Sequence, residues 1–240
     1  TYISGLTKNF KVNKSTIIKN TPNSESSLIG MGFGIMMKKK SAIYFGKQLD
    51  FLLLGVDHFV NTLNQIKVSK PKLGSFTIFL YVCDQGYQGP QSSFNSFSDL
   101  SSMCGFETFQ LNTAFDSDKI INKKLSGKGF KIIGISSKLC KTKILQKKPL
   151  MYTKDYKIIK YCEGNFLTIV CFNFTLPKAY EVTKVLENKG KSCDLFHINY
   201  SNKNDYYSVI KSVNKTKKIL ILDDSKSENL EAYKLINKLK

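Results

Sequence analysis

Short apolar runs alternate with amphipathic stretches along the whole chain, and few folds accommodate this order. The candidate strands of the first part are Ala42–Phe45, Phe76–Cys83, Thr108–Leu111 and Phe130–Ile135. The candidate helices between them are Ser26–Met37, Asp50–Ile66 and Asp116–Leu125. Strands that are apolar throughout and separated by helices are typical of a parallel sheet covered on both faces. The sequence therefore predicts an α/β fold.

A second alternation follows a polar, lysine-rich stretch that contains Pro149. Its predicted elements are strand Phe166–Phe172, helix Leu176–Asn188, strand Cys193–Ile198, helix Asp205–Val213, strand Lys218–Leu222 and helix Ser227–Leu239. The change in composition predicts a linker between two units. We expect two parallel-sheet units, at residues 1–140 and 157–240, joined by a linker at 141–156.

The charge and cysteine content exclude several classes of function. The net charge is +19, but all 37 basic residues are scattered lysines, whereas base and phosphate recognition usually recruits arginine. No apolar run approaches the roughly 20 residues of a membrane helix. The six cysteines form no CxxC pair, so a metal site is not predicted, and unpaired cysteines indicate the reducing cytoplasm. We expect neither nucleic acid nor membrane as a partner.

One acidic residue, Glu25, opens the first helix, directly after "TPNS". A carboxylate at a helix N-terminus can serve simply as a favourable partner of the helix dipole. The same helix carries Gly30, Gly32 and Gly34, and each glycine inside a helix costs about 1 kcal/mol relative to alanine. Three glycines in five residues predict that a ligand or another helix packs close to this backbone.

The loop "DQGYQGPQSSFNSF", Asp84 to Phe97, directly follows a predicted strand. Loops at the carboxyl ends of parallel strands commonly carry ligands, and an ordinary surface loop is the alternative. The two histidines, His58 and His197, lie on a predicted helix and at a strand end. Both are interpreted as structural, because neither forms a catalytic triad pattern with other residues.

Taken together, "TPNSE", "GMGFG", "DFLLLGVDHFVN" and "GYQGPQSS" resemble the beta subunit of 2-oxoacid dehydrogenase decarboxylating components. More broadly, they resemble the pyrimidine-binding half of transketolase-like thiamine diphosphate enzymes. Glu25, Phe51, Asp57 and Asn61 match the family pattern without a gap. The stretch from Cys193 to Asp224 resembles the C-terminal domain of the family. The resemblance implies a thiamine-pyrimidine-binding domain followed by a transketolase C-terminal-like domain.

The resemblance also implies a role for individual residues. Glu25 would hydrogen-bond N1′ of the aminopyrimidine ring and act catalytically, and Phe51 would stack on that ring. Leu28 and Gly30 would contribute to the cofactor site. Gln91 and Ser92 would form the substrate loop, where the family carries His at the position of Ser92. Two further departures from the family are "GKQL", residues 46–49, and Asn199 in place of Arg.

The family's G-D-G signature for diphosphate and Mg²⁺ occurs nowhere in the chain. The resemblance therefore implies a second, alpha-like chain that carries this signature and holds Mg²⁺, and an α2β2-type assembly. The implied function is that of one subunit of a split thiamine diphosphate enzyme. It would be either a 2-oxoacid dehydrogenase beta-like subunit or the C-terminal half of a transketolase. The alternative is a non-catalytic scaffold that keeps the fold and the partner interface.

Overall fold

Two β-sheets organise the chain, one in each half. The computed structural model describes residues 14–69, 71–84, 95, 97–199 and 205–240. The first sheet contains β1 (Ser41–Gly46), β2 (Ser75–Val82), β3 (Glu107–Leu111) and β4 (Gly129–Ser136) in the order β1-β2-β4-β3. All of its neighbouring strands are parallel, as the sequence predicts. β2 is buried almost throughout because helices cover both faces of the sheet.

Helices alternate with these strands as the sequence predicts, with one additional helix between β2 and β3. The α-helices are α1 (Glu25–Met37), α2 (Leu63–Ser69), α3 (Phe97–Cys104), α4 (Ala114–Ser126), α5 (Leu176–Glu187), α6 (Tyr207–Thr216) and α7 (Tyr233–Leu239). The described residues include no helix that is long and apolar enough to cross a membrane.

The stretch predicted as a helix over Asp50–Ile66 is helical throughout, but the type of helix changes along it. A 3-10 helix spans Asp50–Gly55, a π-helical segment spans His58–Thr62, and α2 follows. Gly55 lies against α1, because a Cβ at this position would lie 2.2 Å from Cδ1 of Ile29. The tight contact holds the 3-10 helix against α1.

The second sheet contains β5 (Met151–Tyr152), β6 (Ile158–Cys162), β7 (Leu167–Phe172), β8 (Cys193–Ile198) and β9 (Ile219–Leu222). Their order is β5-β6-β8-β7-β9. The sequence predicts a parallel sheet here, and β7, β8 and β9 are parallel, but β5 and β6 are antiparallel to their neighbours. A short turn joins β5 to β6, and strands joined by a tight turn can pair only antiparallel.

The stretch predicted as a linker, residues 141–156, contains structure. β5 lies inside it, and Leu145 forms an isolated parallel bridge with Thr113 of the first half. The backbone N–H of Ala114 donates to the carbonyl of Leu145 at 3.1 Å. This connection is therefore attached to both sheets.

Buried polar side chains join the two halves. The Tyr161 hydroxyl donates to Asp116 at 2.7 Å, and the Asn112 amide contacts His197 Nε2 at 3.2 Å. Asn199, which replaces the family's Arg, accepts a hydrogen bond from the Gln110 backbone N–H at 2.7 Å. Because a buried polar group without a partner is costly, these contacts fix how the halves are docked.

The predicted final helix, Ser227–Leu239, is shortened to α7 because the preceding residues cross to the first half. Lys226 Nζ donates to the carbonyl of Cys83 at 2.9 Å, and Asn229 Nδ2 donates to Asp99 at 2.7 Å. The Asp223 carboxylate accepts from the Ala232 backbone N–H at 2.9 Å. Residues 223–232 thus form a strap that links the carboxyl ends of β9 and β2.

Asp224 in this strap makes docking of the strap sensitive to pH. Burial, with smaller contributions from the negative charges of Asp84 and Asp223, raises the pKa of Asp224 to about 7. The folded chain therefore holds this proton more tightly than the unfolded chain, in which the pKa of Asp224 is near its ordinary value of 3.8. The contribution of protonated Asp224 to the free energy of unfolding is complete below about pH 4 and is lost as the pH rises through about 7.

We predict that the free energy of unfolding falls by about 2–4 kcal/mol between pH 4 and pH 8 through Asp224 alone. Asp224→Asn removes this component because the amide stays neutral, whereas Glu228→Gln on the same strap keeps it. Denaturant unfolding at several pH values measures the difference. An identical pH dependence in Asp224→Asn and the unsubstituted chain would contradict the prediction.

Candidate active site

The candidate site lies at the carboxyl ends of the strands of the first sheet. The C-terminal end of α1 is tied to the opposite edge, since the Gly74 N–H donates to the carbonyl of Met36 at 2.8 Å. α1 and β1 are each about 20 Å long. The N-terminus of α1, with Glu25, therefore lies level with the last residues of β1. Ligands of open parallel sheets bind at this edge.

Glu25 is buried, with 8% of its surface exposed. Among the residues that the structure describes, none forms a hydrogen bond or an ion pair with its carboxylate. Ser24, which precedes the helix, does not cap it with its side chain. The helix dipole favours a negative charge at this position, but a buried carboxylate ordinarily also requires hydrogen-bond donors. The group is thus arranged for a donor that the described part of the chain does not supply.

Tyr44 on β1 is a neighbour of Glu25 that the sequence analysis did not identify. Burial and, as the smaller cause, the negative charge of Glu25 together raise the pKa of Tyr44 to about 12. Strand alternation places Tyr44 on the face of β1 that packs against the core beneath α1. The alternation of side chains along β1 indicates which of its residues face the core, but it does not indicate which residue of α1 lies above Tyr44.

Phe51 and Leu28 are both half-buried and lie outside the hydrophobic cores. Their neighbours Leu49 and Leu52 are buried in the core. Within the described residues the Phe51 ring makes no contact with another aromatic ring. An uncommitted aromatic ring and an uncommitted carboxylate on packed elements, α1 and the 3-10 helix, fit a planar ring that carries a hydrogen-bond donor.

The three glycines of α1 have different neighbours. A Cβ at Gly30 would lie 2.9 Å from His58 Nε2, and one at Gly32 would lie 2.2 Å from the Phe76 ring. The chain's own packing therefore accounts for both, including Gly30, for which the family resemblance implied a cofactor contact. A Cβ at Gly34 would meet nothing within 4 Å.

The other pattern residues follow the 3-10 helix. Asn61 Nδ2 donates to Asp57 at 2.6 Å on an exposed surface, so these two residues pair with each other. His58 contacts the Thr62 hydroxyl at 3.1 Å through Nδ1 and packs against Gly30. His58 is thus a packing residue, in agreement with the sequence interpretation.

Gln91 and Ser92, the predicted substrate loop, lie outside the described residues. The residue before this stretch, Asp84, is held firmly. Ser136 Oγ and Ser137 Oγ donate to its carboxylate at 2.5 and 3.1 Å, and the Lys138 N–H donates at 3.2 Å. The chain therefore leaves β2 at the same sheet edge where Glu25 lies.

His197 and Asn199 have no part in this site. Both are buried at the junction of the two halves, where His197 contacts the carbonyl of Asn173 at 3.1 Å through Nε2. Burial lowers the pKa of His197, so it is neutral near pH 7. Asn199 accepts a hydrogen bond from the Gln110 backbone N–H and thus has a structural role at this junction.

No cluster of three or more His, Cys, Asp or Glu side chains in the described ranges is placed to hold a metal ion. All six cysteines are free thiols. The buried carboxylate of Asp194 pairs with Lys160 and Lys215 at 2.9 Å each.

Comparison with known proteins gives relatives of one kind. No family model matches the chain. The chain is 22% identical over 213 residues to the beta-4 subunit of the chloroplastic pyruvate dehydrogenase E1 component of Oryza sativa subsp. japonica. This match covers 86% of the chain and 52% of the relative. The beta subunit of the pyruvate dehydrogenase E1 component of Chaetosphaeridium globosum is 23% identical over 212 residues, and this match covers 85% of the chain and 64% of the relative. The chain spans about half the length of the first of these relatives.

Transketolases are among the solved structures that have the same fold. A split-gene transketolase, described as an inactive beta4 tetramer, superimposes with a TM-score of 0.72 at 16% identity, covering 90% of this chain and 70% of the other. The transketolase of Campylobacter jejuni superimposes with a TM-score of 0.67 at 13% identity, and the match covers 88% of this chain and 32% of the transketolase.

The two kinds of comparison agree with the resemblance read from the motifs around Glu25 and Phe51. The chain is a relative of the beta subunits of pyruvate dehydrogenase E1 components and has the fold of the transketolase C-terminal half.

Proposed function

We propose that the chain is a subunit of a split thiamine diphosphate-dependent enzyme that transfers a two-carbon or acyl group. The observation that carries the proposal is the buried Glu25 carboxylate, which has no partner in the described part of the chain. A protein that needs only a helix-capping acid can leave it exposed, where it costs nothing to solvate. The burial of Glu25 supports a role toward a ligand.

The residues at the site fit the aminopyrimidine ring of thiamine diphosphate. Glu25 would hold a proton at N1′ of the ring, as a general acid–base group buried away from water can do. The half-buried Phe51 ring would stack on the pyrimidine, a contact worth about 0.5–1.5 kcal/mol beyond its buried area. Leu28 would pack against the ring edge, and Gly30 would act indirectly by letting His58 approach α1. When bound, the cofactor supplies the carbanion chemistry of the reaction.

A partner chain is part of this proposal because G-D-G is absent from the sequence. The partner would be an alpha-like chain that binds the diphosphate and Mg²⁺, so the active site would form between two chains. Gln91 and Ser92 would face the substrate from this chain. The cytoplasm is the proposed location, since it keeps the six thiols reduced.

The outer face of α1 supports such an assembly. After Glu25 this helix is uncharged to its end, and a helix that is apolar all round is normally buried all round. In the isolated chain, however, Met31 is 54% exposed and Ile35 is 42% exposed, on either side of the open Gly34. We infer that another subunit covers this face, in an α2β2-type assembly. The beta4 tetramer of the split-gene transketolase is in line with self-association.

The second candidate function is a non-catalytic scaffold with the same fold and interface. The observation in its favour is Ser92 in place of the family's His, because a serine cannot exchange a proton near neutral pH. The burial of Glu25 weighs against it, since a scaffold gains nothing from an acid buried without a partner.

Glu25→Gln is expected to leave folding and partner binding intact and to slow hydrogen–deuterium exchange at C2 of bound thiamine diphosphate by at least 10²-fold, the size of a general acid–base contribution. The amide has the same shape but cannot share the proton. The exchange is followed by NMR of the complex with the partner chain and Mg²⁺. The matched control is Glu181→Gln, an exposed position on α5. Exchange at the unsubstituted rate in Glu25→Gln would favour the scaffold.

Gly34→Ala separates the stability of the chain from its assembly. The added methyl meets nothing within the chain and removes the cost of a helical glycine, so the isolated chain should gain about 1 kcal/mol and melt about 2–4 °C higher. Gly34→Leu should instead weaken the assembly, as judged by mass in analytical ultracentrifugation.

Gly32→Ala is the control for this pair, because its Cβ would overlap the Phe76 ring and destabilise the chain itself. An unchanged assembly mass in Gly34→Leu would show that the outer face of α1 is not an interface.

A further inference from the structure

Two polar groups at the candidate site have no partner of their own. Glu25 is a buried residue at the N-terminus of α1, and Tyr44 is a half-buried residue on β1. Within the described ranges, no hydrogen bond is formed by either side chain. One group is an acceptor and the other is a donor, so each supplies what the other lacks.

The topology brings these two groups to one place. α1 runs antiparallel to β1, and the two elements have matching lengths, which places Glu25 above the carboxyl end of β1. Tyr44 and Ala42 pack against the same core as Ile29 and Phe33 of α1. The Tyr44 ring extends along the strand toward Gly46, where a Cβ would lie 3.6 Å from Tyr44 Cε1. Tyr44 therefore points along β1 toward the end where Glu25 lies.

The electrostatics agree with this placement. Glu25 is the one charged group in the described chain whose field raises the pKa of Tyr44, and together with burial it raises that pKa to about 12. The phenol consequently keeps its proton throughout the physiological range and remains a donor. A tyrosine that served only to fill the core would not need the hydroxyl, and phenylalanine would pack equally well.

We propose that Tyr44 is a positioning residue for Glu25: its hydroxyl donates through a bridging water to one carboxylate oxygen and leaves the other oxygen facing the ligand. This arrangement keeps the buried carboxylate from rotating or turning out to solvent. It also lowers the cost of holding the charge before a ligand arrives. The contact itself is independent of the ligand, but its effect on cofactor affinity rests on the proposed function.

The first test needs no cofactor. Tyrosines are labelled with ¹³C at Cζ, whose chemical shift responds to hydrogen bonding and nearby charge, and the Tyr44 signal is assigned by its loss in Tyr44→Phe. Glu25→Gln should move the Tyr44 signal and leave the signals of distant tyrosines in place. The control Glu181→Gln should leave the Tyr44 signal unchanged. A Tyr44 signal that does not respond to Glu25→Gln would overturn the proposed contact.

The second test uses the full complex with the alpha-like partner, Mg²⁺ and thiamine diphosphate. Tyr44→Phe should weaken cofactor binding about 2- to 10-fold in calorimetry, the effect of one hydrogen bond. In a chain that already carries Glu25→Gln, Tyr44→Phe should weaken cofactor binding no further. The control Tyr180→Phe should leave cofactor binding unchanged both with and without Glu25→Gln. Equal weakening in both backgrounds would show that Tyr44 acts without Glu25 and would overturn the proposal. Absence of binding in the unsubstituted complex would instead refute the proposed function, and the first test still decides the contact.

Discussion

Burying one carboxylate at the start of α1 is the constraint on which the account of this protein depends. Only 8% of the surface of Glu25 is exposed, and the dipole of α1 favours a negative charge at this position. The remainder of the first half holds the group in place. Gly30 and Gly32 let α1 lie close to His58 and Phe76, and Gly55 fits the 3-10 helix against Ile29. This close packing fixes the position of α1, and with it that of Glu25.

The second half of the chain acts on the site from a distance. It docks through buried polar contacts, among them those of Asp116 with Tyr161 and of Asn199 with Gln110. The strap that begins at Asp223 reaches the end of β2, from which the predicted substrate loop departs. Asn199 illustrates how a departure from the family can have a local reason, because in this chain the position serves the junction between the two sheets.

The predictability of the structure from sequence differed from element to element. The strands of the first sheet were located to within a residue or so because their apolar runs are unbroken and flanked by polar turns. β6 was missed because Lys160 interrupts its short apolar run, and α3 was missed because serines dilute its apolar face. The 3-10 and π-helical turns within Asp50–Ile66 were also missed, since they depend on contacts with α1. For the same reason, Glu25 could be singled out from motif and position, while its proximity to Tyr44 could not: periodicity describes one element and not the register between two.

The central claim is that Glu25 belongs to a cofactor site which this chain shares with a second chain. The most direct measurement is calorimetric titration of thiamine diphosphate and Mg²⁺ into the chain alone and into its mixture with the G-D-G partner. The account predicts no tight binding to the chain alone, because the diphosphate and metal ligands are missing, and tight binding to the mixture that depends on Mg²⁺. Tight binding by the chain alone, or none by the mixture, would contradict the account.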